Sequence, residues 1–324
     1  MNEVTNIFCS NYGQDKDIIR DVERKLNEKK ENGYFKGCNN ISIYYEKFIV
    51  QNEKGSIVIS HGFTECLEKF TELIYYFTEI GYSVYGVEHR GHGRSSNLNY
   101  KEKSQIHIDS FDYYIEDLKI FMDEIVQKKG ESVFLFAHSM GGAIGTLFLE
   151  KYQEYFEKAV LSSPMMEINT GSYSENMAYL ISKFFIAIGK GKNYIFGQEP
   201  FNGEYNLEES ATSNQYRYSR HLNVLRESEV LQRSGGSFKW INEAIKATRK
   251  LKKEENIKKI QIPILLFQSG KDTFVKDEGH NIFCRYANNC KLIRFDNAKH
   301  ELYFESDDIL EPYLKEIVKF YNEI

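Results

Sequence analysis

Residues Ser132–Glu150 read Ser-Val-Phe-Leu-Phe-Ala-His-Ser-Met-Gly-Gly-Ala-Ile-Gly-Thr-Leu-Phe-Leu-Glu, and this stretch decides the fold. Val133–Phe136 is a short apolar run suited to a strand covered on both faces. Ala143–Leu149 continues in good helix formers. Between them stands Ala137-His138-Ser139-Met140-Gly141. It resembles the nucleophile elbow G-x-S-x-G, a sharp strand-to-helix turn that lifts a serine hydroxyl clear of the sheet. The residues two before and two after the serine must be small, because strand and helix nearly touch there. Gly141 meets that need, and Ala137 is the smallest residue that still carries a Cβ. An ordinary tight strand–helix turn would read the same way, so partners elsewhere in the chain decide.

On either side of the elbow, short apolar runs alternate with helical patterns. Asp17–Glu31 predicts a helix with Ile18, Ile19, Val22 and Leu26 on its inner side. Ile41–Val50 predicts the first strand of a hairpin at the sheet edge. Ser56–Ser60 is a buried strand running into His61-Gly62-Phe63-Thr64-Glu65, and a helix follows over Leu67–Ile80. Tyr82–Val87 is the next strand, followed by the loop Glu88–Ser95. Phe111–Lys128 reads as a helix, and Ala159–Ser162 as a strand ended by Pro164. The rhythm then stops from Met165 to about Ile260. It resumes with a strand at Pro263–Gln268, a helix near Asp277–Asn288, a strand at Lys291–Phe295 and a helix at Ile309–Tyr321. Strands alternating with helices mean an α/β protein, its mostly parallel sheet covered by helices on both faces. The interruption reads as an insertion over the carboxyl ends of the strands, where such sheets bind ligands. The expected organisation is a core in two parts, residues 1–164 and 261–324, split by a helical cap at 165–260.

At 324 residues the chain is long enough for one large domain with such an insertion. Its net charge of −5 argues against nucleic acid as a partner, because neutralising phosphates needs a basic surface. The five cysteines (Cys9, Cys38, Cys66, Cys284 and Cys290) are scattered with no C-x-x-C, which predicts reduced thiols and a cytoplasmic location. No signal peptide and no apolar run of membrane-spanning length is visible. At most, contact with a membrane surface is expected, transient and at its inner face.

A serine nucleophile needs a base, a group to orient that base, and donors for the oxyanion. Where a serine stands on such an elbow, the partners follow in the order Ser, acid, His. Of eight histidines, His300 alone comes after the last predicted strand, in a loop beside the elbow. His280 falls inside a helix and is expected at the surface. His107 and His221 have no motif around them, and His138 should point away from Ser139. For the acid, Asp272 directly follows the strand Pro263–Gln268. Asp277 is the alternative, better suited to cap a helix, and Asp296 is too near His300 in sequence. The expected oxyanion donors are the backbone N–H groups of Met140 and Phe63. Gly91-His92-Gly93-Arg94-Ser95-Ser96 lacks the third glycine of a dinucleotide fingerprint. His89 and His92 lack partner ligands for a metal. No metal or cofactor is expected.

These residues together resemble the α/β-hydrolase superfamily, the branch of serine aminopeptidase S33-type hydrolases that holds monoacylglycerol lipases and bacterial lysophospholipases. The carrying residues are His61-Gly62, Glu88–Ser95, Ala137–Gly142, Asp272 and His300. Ala137–Ile144, Gly235–Trp240, Phe283-Cys284 and His300–Glu305 are similar to the lysophospholipase L2 type. Glu88 stands where the family usually has Asp, and Gly62-Phe63-Thr64-Glu65 departs from the usual lysophospholipase loop. The resemblance implies a serine hydrolase that cleaves the ester of a single-chain lipid through an acyl-enzyme. The alternatives are a monoacylglycerol lipase, a broad carboxylesterase, or a silent member of the fold that only binds. Within the insertion, Met177, Leu180, Ile181, Phe184, Phe185 and Ile188 share a helical face. That face either packs on the domain, lines an acyl-chain channel or touches lipid. Trp240, Ile241, Ala244 and Ile245 form a second such face.

Overall fold

In the computed structural model, which describes residues 2–10, 12–97, 102–127 and 131–323, the apolar runs become one sheet. Its strands are β1 Lys30–Lys36, β2 Ser42–Phe48, β3 Gly55–Ser60, β4 Tyr82–Val87, β5 Val133–His138, β6 Lys158–Ser162, β7 Ile264–Ser269 and β8 Cys290–Phe295, in the order β1-β2-β4-β3-β5-β6-β7-β8. β1 and β2 are antiparallel to their neighbours, and β4, β3, β5, β6, β7 and β8 run parallel. The helices are α1 Asn2–Ile7, α2 Lys16–Asn27, α3 Thr71–Glu79, α4 Asp112–Phe121, α5 Met140–Tyr152, α6 Glu175–Ala187, α7 Gln215–Glu227, α8 Phe238–Leu251, α9 Glu254–Ile257, α10 Asp277–Tyr286 and α11 Asp307–Asn322.

Side chains of a strand alternate between faces, so a sheet covered on both sides needs apolar residues at every position. β3, β4, β5 and β7 are buried throughout. Val58, Leu135 and Leu161 join α4, α5 and α8 in one core; Ile57, Phe136 and Val160 join α3 and α11 in the other. Parallel strands between two helical layers bring their carboxyl ends to one edge, where the loops after β3, β5, β7 and β8 gather.

The structure departs from the sequence reading at the amino-terminal edge. β1 is the edge strand, and the predicted first strand is its partner, β2. In β1 only Phe35 is buried, so no apolar alternation marks it as a strand. The helix expected to reach Glu31 ends at Asn27. Leu67–Phe70 forms a tight 3₁₀ turn before α3. α4 runs on through a wider turn at Met122–Val126, and the predicted end at Lys128 lies outside the described residues.

Between β6 and β7 lie α6 to α9. α8 packs into the core cluster through Trp240, Ile241, Ala244 and Ile245. α7 is held from beneath by Arg217, fully buried, which pairs with Glu72 of α3 at 2.7 Å and Asp307 of α11 at 2.9 Å. The apolar face predicted on α6 divides in two. Ile181 turns inward and Phe185 stacks on Phe238 at 4.1 Å between centroids. Met177, Leu180, Phe184 and Ile188 point outward, 50, 58, 59 and 48% exposed. No described helix is long and apolar enough to cross a membrane.

Candidate active site

Ser139 sits at the end of β5 with φ 51° and ψ −117°, backbone that an L residue adopts only under strain. The fold supplies the restraint. The Ser139 N–H donates to Ser162 O at 3.1 Å, and its carbonyl accepts from Met165 N at 2.8 Å. A Cβ on Gly141 would collide with the carbonyl oxygens of Ser60 and His61, and one on Gly142 with Pro164. Glycine here is a condition of strand and helix meeting at all.

His300, in the loop after β8, places Nε2 2.8 Å from Ser139 Oγ. Its Nδ1 lies 2.6 Å from Asp272 Oδ2, in the turn after β7. With Nδ1–H donating to the carboxylate, Nε2 is free to accept the serine proton. Asp272 Oδ1 also accepts the N–H groups of Phe274 and Val275 at 2.8 and 3.0 Å. Burial disfavours the Asp272 charge, but His300 and these two donors outweigh it and hold the carboxyl below its usual range. Asp277, expected as a helix cap, is the first residue of α10; Lys276 holds the cap position, and Asp277 pairs with Arg294 at 2.5 Å. Asp296 pairs with the same arginine.

His280, expected at the surface, is buried, because the inner face of α10 packs on the Pro164 turn and its Nε2 meets Pro164 O at 2.7 Å. His107 bonds Ser237 Oγ at 2.8 Å, and burial keeps His221 neutral. His61 and His89 are built into the strand ends: His89 N donates to His61 Nε2, and His89 Nε2 meets Ser60 Oγ, both at 2.9 Å. Glu88, in place of the shorter aspartate, reaches the N–H groups of Arg94 and Leu67 and the Arg94 guanidinium, so the loop Glu88–Ser95 is braced. Burial nonetheless pushes the Glu88 carboxyl up to about 8. Cys66, Glu68 and Glu88 bring three ligand-type atoms together, but Arg94 already pairs with both carboxylates.

Met140 opens α5, where first-turn N–H groups have no intrahelical acceptor and the helix dipole favours negative charge. Phe63 lies in the loop after β3, its ring 4.0 Å from that of Trp240. Ser139, His300 and Phe63 open into a cavity of about 530 Å³. Its walls are largely apolar (Met165, Ile168, Ile181, Ile195, Phe238, Trp240), with Asn169, Ser172 and Gln198 as neutral polar groups and Glu65, His138 and Glu301 as ionisable ones. The arrangement can deprotonate a hydroxyl beside an apolar chamber.

Sequence reasoning missed a buried charge cluster behind Phe63, made of Glu65, Lys69, His138 and Glu301. Burial opposes both charges of the Glu65–His138 pair, yet mutual attraction holds Glu65 well below and His138 above its usual value. The available signal was Glu65 itself, a carboxylate two residues past the expected oxyanion donor.

The serine aminopeptidase S33 family model matches residues 51–307 of this chain. The chain is 30% identical over 296 residues to a probable lysophospholipase L2 of Haemophilus influenzae, covering 89% of this chain and 91% of that one. It is 27% identical over 303 residues to lysophospholipase L2 of Escherichia coli K12, covering 91 and 88%. A solved soluble variant of monoglyceride lipase from Saccharomyces cerevisiae shares the fold at a TM-score of 0.71 and 19% identity, covering 90% of this chain and 94% of that one.

Proposed function

Because the chain belongs to the serine aminopeptidase S33 family of α/β-hydrolases, we propose that it hydrolyses the carboxylic ester of a single-chain lipid, as a lysophospholipase. The observation that carries this reading is the hydrogen-bonded chain from Ser139 through His300 to Asp272, opening on an apolar cavity. In this reading His300, oriented by Asp272, takes the Ser139 proton as the oxygen attacks the ester carbonyl. The oxyanion is held by the amides of Phe63 and Met140. His300 protonates the leaving alcohol, and water then releases the fatty acid through the same groups. Residues 165–260 act as a cap over the serine, between the core segments 1–164 and 261–324.

One observation favours a second reading, a monoacylglycerol substrate. Among the described residues lining the cavity none is Lys or Arg, while Glu65 and Glu301 carry carboxyl groups, a lining that suits an uncharged head group better than a phosphate. Fatty-acid release from an equal mixture of long-chain lysophospholipid and matching monoacylglycerol separates the two. The lysophospholipid is expected to be consumed first, and preference for the glyceride would move the head-group assignment. Release from neither, with short esters still cleaved, would overturn the lipid reading.

The outward face of α6 supports a further part of the proposal, transient docking on an anionic lipid surface. Met177, Leu180, Phe184 and Ile188 would enter the interface, with the exposed Lys183, Lys190 and Lys192 beside them. All five cysteines are free thiols, which suits the inner face of the membrane in a reducing cytoplasm.

A further inference from the structure

We propose that Glu65 is a positioning residue that clips together the three loops of the reaction, those bearing Phe63, Ser139 and His300. This rests on the assignment of those residues given above. The Glu65 carboxylate is buried and reaches each loop directly or through one neighbour. Its Oε2 accepts the Gly62 N–H at 2.5 Å, one residue before the proposed oxyanion donor. His138 Nδ1 lies 3.1 Å from Oε1, one residue before the proposed nucleophile. On the other side of the same ring, His138 Nε2 stands 3.4 Å from the carbonyl oxygen of His300. The Tyr303 hydroxyl, three residues beyond His300, donates to Glu65 Oε1 at 2.7 Å.

Two further observations point the same way. Thr64 has φ 62°, a costly conformation for a β-branched residue, so the turn that presents Phe63 N–H does not hold itself. A Cβ on Gly62 would meet Glu65 Oε2 at 2.8 Å and His138 Nδ1 at 2.9 Å, so the ion pair presses directly on the peptide it orients. Charge is balanced within the cluster, since Lys69 pairs with Glu301 at 2.5 Å and lies 3.7 Å from Glu65. Separating a buried ion pair leaves two uncompensated charges, which holds Glu65 and His138 in their paired geometry.

The test is Glu65→Gln, which keeps the shape and removes the charge. Misplacing one oxyanion donor is expected to lower kcat by about 10- to 100-fold while KM stays within about twofold. Inhibition by a long-chain trifluoromethyl ketone, which forms a tetrahedral adduct, should weaken by a similar factor. Tyr303→Phe removes a single bond to the same carboxylate and is expected to give a smaller loss in kcat, again without change in KM. It serves if Glu65→Gln does not fold. Unchanged kcat in the folded variants, or a KM raised well beyond twofold together with the fall in kcat, would overturn the positioning role. Ser139→Ala in parallel separates the two readings. If it is inactive while Glu65→Gln behaves as wild type, only the positioning role fails; if it remains active, the site assignment fails and the positioning role with it.

Discussion

Ser139 shows how single residues are held against their preferences. Its backbone is strained, and glycines at 141 and 142 let the turn close around it. The ion pair next to it has a pH signature. His138 is raised above its ordinary 6.5, so its contribution to stability is complete below pH 6.5 and is lost as pH rises through the folded value. Glu65 is lowered below its ordinary 4.5, so its contribution is complete above pH 4.5 and is lost as pH falls through its own folded value. Lys69, Glu301 and His61 face the pair and shift both ends of this window without changing its sign. The difference in melting temperature between wild type and His138→Asn should be largest from pH 4.5 to 6.5 and shrink in alkaline buffer. Calorimetry at a series of pH values checks this, and a difference that grows with pH would contradict it. Ser139, Asp272 and His300 could be singled out from the sequence because motif and chain order constrain them. Glu65 had only its place beside the expected oxyanion donor to mark it, and its pairing with His138 across 73 residues leaves no local pattern.

Elements differ in how much of them the sequence shows. The central strands are legible because burial on both faces demands an unbroken apolar run. β1 is not, since an edge strand with one buried residue carries no period. On α6 the period reveals an apolar face but not what covers it, and the structure turns part of that face inward and leaves part bare. α7 and α6 should therefore respond differently to substitution. Arg217→Ala strands the buried Glu72 carboxylate and should cost about 3–5 kcal/mol in urea denaturation. A loss under about 1 kcal/mol would show that α7 is not pinned this way. Leu180→Ser with Phe184→Ser should stay within about 0.5 kcal/mol of wild-type stability, as exposed sites do. The same double variant should bind anionic vesicles more weakly and still cleave short soluble esters at the wild-type rate. Unchanged vesicle binding would remove the docking proposal.

At the scale of the molecule, the sheet order explains why a linear reading reaches so far. Loops after β3, β5, β7 and β8 converge because their strands are parallel and close together in the sheet. Phe63, Ser139 and His300, spread over 238 residues of chain (from 63 to 300, counted inclusively), thus meet around one cavity, with Asp272 behind His300. The neutral polar groups of the cavity, and the absence of Lys and Arg from its described lining, come largely from the segment between β6 and β7 and its neighbours. There the sequence has no rhythm, so head-group selectivity could not be read from it. The central claim is that Ser139 is the nucleophile of a serine hydrolase. The most direct measurement is labelling with a long-chain fluorophosphonate, followed by mass mapping of the adduct. A single adduct on the peptide carrying Ser139, absent from Ser139→Ala, is the expected result. No adduct, or an adduct on another residue that persists in Ser139→Ala, would contradict it.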